Sequence, residues 1–241
     1  MKRVDRLMSI AAAGLTGAAT GSVTADIGPV AVNGKLATII VEGEPPSQMF
    51  GGPERVFAEE LTFDAMTGVG VEGPGFASAP DNPILGATLQ YNITAALRRW
   101  DGSAFAATAW RMSTGSDEAM LPFILTPTTD MPTPAYAFNL DVDQHFDWRL
   151  EGATETSGQG VYLVSLTLSN PGGALLESEP IWIVFNYGRA EEEHATAIAW
   201  TRENLAPAPG VACVPGAWAV LWARRNRRAE PNGRIDVGLR L

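Results

Sequence analysis

Residues 160–170 read GVYLVSLTLSN and residues 181–186 read IWIVFN, and these two stretches decide the fold. In the first, Tyr162, Val164, Leu166 and Leu168 fall on one side of a period-two pattern, the signature of a strand with one face on a core. The second is apolar from Ile181 to Phe185, as expected of an interior strand covered on both faces. Just upstream, HFDWRL (145–150) alternates Phe146, Trp148 and Leu150 with His145, Asp147 and Arg149, one apolar face against one wet face. Downstream the period changes. AEEEHATAIAWTRENL (190–205) places Ala195, Ile198, Ala199 and Arg202 at helical spacing, with Glu191, Glu192 and Glu193 where acids complement the helix dipole. The expectation is a mainly β domain, a β-sandwich or jelly-roll-like body, closed by a C-terminal helix over 190–204.

Working outward, 29–32, Asn33-Gly34 and 35–41 form a hairpin, because Asn-Gly suits a type I′ turn. Strands are predicted over 55–63, 85–93, 105–112 and 136–142. Residues 95–100 read as a single helical turn stopped by Asp101-Gly102. The chain's 25 glycines and 17 prolines are spread along it rather than clustered, which favours many turns and short strands.

The 241 residues, 46% of them apolar, suit one domain of ordinary size, placed at 26–204, with short targeting segments on either side. Between Asp26 and Asn204 there are 24 acids against 8 Lys or Arg, a balance of −16, whereas both ends are basic. So acidic a body excludes nucleic acid as a partner, since phosphate binding needs a basic surface. The single cysteine, Cys213, leaves the body without a disulfide or a thiolate metal site, a pattern that suits an exported bacterial protein.

Both ends read as addresses. Lys2, Arg3 and Arg6, the Ala-rich stretch 7–19 and the small residues before Ala25 make 1–25 a signal peptide cut after Ala25 by signal peptidase. Near the other end, 205–228 joins a Pro-containing motif (Pro207, Ala208, Pro209, Gly210) to an apolar run and an arginine cluster (Arg224, Arg225, Arg227, Arg228). The apolar run is short for a span, and the arginines suit the cytoplasmic side of a membrane. The stretch resembles a PEP-CTERM sorting signal, with Ala208 where the family's name has Glu. The resemblance implies an exosortase-type membrane protease as processing partner. It also implies export to the cell envelope or extracellular matrix, transient inner-membrane anchoring, and exopolysaccharide as a surrounding partner. Residues 229–241 are expected to be a disordered tail. The body, most clearly from 140, resembles a recurring body type of PEP-CTERM proteins, in which a His-x-Asp/Trp strand precedes GVYLV-like and FWIVFN-like strands and an acidic helix.

Candidate chemistry is sparse. No G-x-S-x-G elbow, Walker loop or H-E-x-x-H occurs. With two histidines, a three-histidine zinc site is impossible. Asp141, Asp143 and His145 share one parity, so on a continuous strand they would project together and hold a divalent cation, most naturally calcium. His194 is expected as a surface histidine on the helix. Trp148, Trp182 and Trp200 fit core positions better than a sugar-stacking platform. The leading reading is a non-enzymatic structural or binding module, and the alternative is an extracellular glycan-active hydrolase.

Overall fold

The computed structural model describes residues 26–42, 48–50, 53–116, 121–141 and 144–206. Its strands in chain order are β1 (Asp26–Val32), β2 (Lys35–Glu42), β3 (Gln48–Phe50), β4 (Val56–Glu60), β5 (Thr62–Asp64), β6 (Gly68–Glu72), β7 (Thr88–Ile93), β8 (Arg98–Trp100) and β9 (Phe105–Ala107). They continue as β10 (Met112–Ser116), β11 (Leu121–Leu125), β12 (Tyr136–Asn139), β13 (Asp147–Leu150), β14 (Gly160–Ser169) and β15 (Ile181–Tyr187), followed by helix α1 (Glu191–Asn204). Among the described residues the chain is mainly β, in three sheets, with one C-terminal helix. The largest sheet runs β12-β7-β14-β15-β4, with the β8–β9 hairpin also joined to β14; a second runs β11-β10-β13-β6-β5, and the smallest β1-β2-β3.

The alternation in 160–170 becomes β14, and its two faces feed two cores. Tyr162, Val164, Leu166 and Leu168 lie in the main core with Ile181, Ile183, Phe185 and Tyr187 of β15. Val69, Met112, Trp148 and Leu150 of the five-stranded sheet enter the same core, so the two larger sheets share one interior. The opposite face, Val161, Leu163, Trp182 and Val184, joins Val56, Trp100, Phe105 and Ala197 in a second core. Sealed on both sides, β15 has all seven residues buried, as its unbroken apolar run requires.

The Asn-Gly hairpin forms as expected: Asn33 (φ 51°) and Gly34 (φ 77°) both adopt the left-handed conformation of a type I′ turn. Elsewhere the strands divide. The expected strand 55–63 breaks at Leu61, whose N–H donates to the Asn186 carbonyl, and the chain passes from the seven-stranded to the five-stranded sheet. Likewise 105–112 splits into β9 and the start of β10, which belong to different sheets. Residues 98–100 form a strand, not a helical turn, because Arg98 and Arg99 pair with Leu163 and Tyr162 of β14. The strand expected over 85–93 starts at Thr88, after a turn at 83–86, and the one expected from Tyr136 ends at Asn139.

Helix α1 lies over the outer face of β15 and β4, but its buried face differs from the expected stripe. His194, Ala197 and Thr201 face the sheet, while Ala195, Ala199 and Arg202 are exposed. Two of the inward residues are polar, and each has a partner: the His194 ring meets the Val184 carbonyl and the Thr201 hydroxyl donates to the Ala197 carbonyl. Leu205 and Ala206 follow the helix and pack against the second core. Residues 1–25, expected as a signal peptide, and 207–241, which hold all but the first two residues of the expected sorting segment and the expected tail, lie outside the described residues. Among those described, no helix is long and apolar enough to cross a membrane.

Candidate functional site

The β8–β9 hairpin and α1 stand side by side on the outer face of the large sheet, and a groove of about 630 Å³ runs between them. Arg99 comes from β8, Asp101 from the hairpin turn, Arg189 from just before α1, and Glu193 and Thr196 from its first two turns. The turn is held by the Asp101 carboxylate, which accepts from Ser103 N (2.8 Å), Ser103 Oγ (2.9 Å) and Ala104 N (2.9 Å). Those hydrogen bonds, led by the one from Ala104, hold its carboxyl below the ordinary range. Gly160 forms part of the floor, where an added Cβ would come 2.7 Å from Arg99 Nε; the missing side chain lets the guanidinium lie close and donate to the Gln159 carbonyl at 2.7 Å.

Arg189 and Glu193 clasp each other across one helical turn, with Nη2–Oε2 2.8 Å, and the pairing pushes Arg189 further up from its already high value. Trp100 backs the groove but is only 6% exposed, its ring set edgewise against Phe105 (5.2 Å) and Trp200 (5.8 Å). The lining therefore offers fixed cations, carboxylates and a hydroxyl, with no broad aromatic platform. Such a surface suits a polar, many-hydroxyl ligand better than an apolar one.

A second polar group sits where α1 starts. Glu60, the last residue of β4, is the parallel-strand partner of Asn186 on β15. Its Oε1 accepts from Asn186 Nδ2 (3.1 Å), and Asn186 is itself tied to Arg189 through the carbonyl (3.0 Å) and N–H (3.3 Å) of that residue. His194 lies beneath the helix, 4% exposed, with Nε2 3.1 Å from the Val184 carbonyl and Nδ1 3.0 Å from Glu60 Oε1. The Glu191 carboxylate, one helical turn before His194, completes a set whose ligand atoms all lie within 4.8 Å of one another. The surface histidine expected at 194 is thus a buried one. The sequence marks Glu191 only as an acid complementing the helix dipole and gives no sign of Glu60 as its neighbour, although Glu191-x-x-His194 on one helix face is a readable signal.

The expected cation residues are placed differently. Asp141 is exposed just past β12, and Asp143 lies outside the described residues. His145 is half-buried, with Nδ1 4.0 Å from Glu72 Oε1. Residues 144–146 are not part of a strand. They run against 73–76, with the Gln144 carbonyl accepting from Phe76 N (2.9 Å) and the Phe146 carbonyl from Gly73 N (2.8 Å). Equal parity puts Asp141, Asp143 and His145 on one face only along a continuous strand, and β13 begins only at Asp147. Trp148 (3% exposed) and Trp182 (8%) occupy the two cores as expected, and Trp200 is half-buried against the second.

No protein-family model matches the chain, and no curated protein matches it significantly.

Proposed function

We propose that this chain is an exported bacterial protein of the cell envelope or extracellular matrix, and that its β body is a structural or binding module built as a jelly-roll-like sandwich. One observation carries the reading: the indoles of Trp148 and Trp182 are both spent on core packing, one on each side of the large sheet. A glycan-cleaving site needs acids kept protonated near neutral pH and aromatic faces turned to the ligand. Asp64, Asp101 and Glu179 are carboxyls held below the ordinary range, the opposite direction. The groove between the hairpin and α1 fits weak, many-point contact with exopolysaccharide. The targeting half of the proposal rests on Ala25 and on the resemblance of Pro207–Gly210 and the Arg224–Arg228 cluster to a PEP-CTERM signal.

Intact mass and fractionation of the native protein test both halves. The expected product starts at Asp26, is shortened near Pro207, and sediments with the envelope or is shed with the polysaccharide. An uncut protein recovered from the cytoplasm would defeat the targeting reading. Release of reducing sugar from the producer's own exopolysaccharide would replace the module with the hydrolase.

A further inference from the structure

We propose that Glu60, Glu191 and His194 form a binding site for one zinc ion that fastens the start of α1 to the edge of the large sheet. The argument begins with the buried imidazole. A carbonyl only accepts hydrogen bonds, so Nε2, 3.1 Å from the Val184 carbonyl, carries the ring's proton. In the neutral ring Nδ1 is then a bare lone pair, and it confronts a carboxylate oxygen of Glu60 at 3.0 Å. Two lone pairs do not face each other at that distance without positive charge between them. A second proton supplies it with two groups; a metal supplies it with three or more, and the third is present in Glu191.

The surroundings have the features of a metal site. The Nε2–H bond to a backbone carbonyl is the outer-shell contact that fixes the tautomer of a ligating histidine. Asn186 donates to the same Glu60 oxygen that faces His194 and is anchored in turn by Arg189. Glu191 and His194, three apart on one helix, present their ligand atoms side by side. One imidazole nitrogen with two carboxylate oxygens is a zinc-type donor set, short of the oxygen-only shell that calcium takes. The positive end of the helix dipole would repel a cation, but Glu191, Glu192 and Glu193 in the first turn, with Glu60 opposite, reverse the local sign. The Glu60 side chain is 43% exposed and Glu191 lies at the surface, so an ion has a way in and water a fourth coordination position.

The test uses the full chain, untagged and purified in chelator-free buffer, alongside Cys213→Ser so that the lone thiol does not count as a ligand. After incubation with zinc chloride and desalting, elemental analysis should find one zinc per chain in both. At a hundredfold excess over Kd, zinc should raise the melting temperature by roughly 5 °C or more, and a chelator should reverse the rise. Glu191→Gln keeps the His194–Glu60 contact, so its metal-free melt should match the parent while its zinc affinity falls about tenfold or more. Glu203→Gln, exposed at the far end of α1, should bind as the parent does. A chain that retains no zinc, or a Glu191→Gln variant binding as tightly as the parent, would overturn the proposal. So would ring N–H signals on both His194 nitrogens in saturating zinc, which would identify the bridging charge as a proton.

Discussion

Trp148 on β13 and Phe185 on β15 meet across the main core with ring centroids 5.2 Å apart, inclined at 47°. Each strand belongs to a different sheet, so this contact is one of those that join the five-stranded sheet to the large one. The indole also donates from Nε1 to the Pro74 carbonyl at 3.1 Å, fixing the loop before Phe76. Trp148→Ala should therefore cost about 3–5 kcal/mol. Trp148→Phe keeps most of the volume but orphans a buried acceptor, and should cost about 1–3 kcal/mol. A Trp148→Phe variant as stable as the parent in urea unfolding would show that the hydrogen bond contributes nothing.

Tyr91 is 1% exposed, and its hydroxyl has no hydrogen-bond partner among the described residues; the nearby Thr114 hydroxyl, also buried, misses bonding geometry. Burial first, and Tyr136 second, push its phenol well above the ordinary tyrosine range. With the folded value above the unfolded one, the neutral phenol's contribution is fully present below pH ~10 and is lost as pH rises beyond it. Tyr91→Phe should leave stability at pH 7 unchanged or raised by up to about 1 kcal/mol, and should flatten the alkaline fall. Melting curves from pH 8 to 11 check this, and a large loss at pH 7 would reveal a buried water on the hydroxyl.

The strands of the centre were legible because large apolar residues repeat at period two from Tyr162 to Leu168, and because Asn33-Gly34 announces its own turn. Strand β6, reading Gly68-Val-Gly-Val-Glu72, was missed, since glycines at every second position hide the pattern. Strand β8 exists through its pairing with β14, which local sequence does not encode. The phase of α1 was misread for a related reason. His194 and Thr201 look like surface residues until the Val184 and Ala197 carbonyls are seen to receive them. Glu60 was invisible as a site residue because only the parallel pairing of β4 with β15 brings it to the helix start.

Asp64 and Asp101 are used alike, each carboxylate capping the N–H groups of its own hairpin turn, Met66 and Thr67 in one case and Ser103 and Ala104 in the other. Both carboxyls are held below the ordinary value, chiefly by those backbone bonds. With folded values below unfolded ones, their contribution is present above pH ~4 and disappears as pH falls through the lowered range. Asp101→Asn keeps an acceptor but does not titrate, so the protection of the Ser103 and Ala104 amides, taken relative to their intrinsic exchange rates, should lose its acid dependence below pH 4. Asp101→Ala should speed exchange at both amides at neutral pH. An acid dependence that survives in Asp101→Asn would assign the effect to another group.

Gly75 marks the closest approach between the two loops that meet under Trp148. A Cβ there would stand 2.0 Å from the Gln144 carbonyl oxygen and 3.0 Å from His145 Cα, both backbone atoms. Relief by movement would break the Phe76 N–H bond to that carbonyl (2.9 Å) and disturb the Gly75 carbonyl that receives Ile27 N–H (3.0 Å). Gly75→Ala should therefore cost about 3 kcal/mol or more, an overpacking penalty with no flexible side chain to absorb it. Gly86 is the control. It has open space around its missing Cβ but a φ of +77°, so Gly86→Ala should cost only the left-handed strain of about 1–2 kcal/mol. Paired denaturation curves separate contact from conformation, and equal losses at the two glycines would refute the close approach at Gln144.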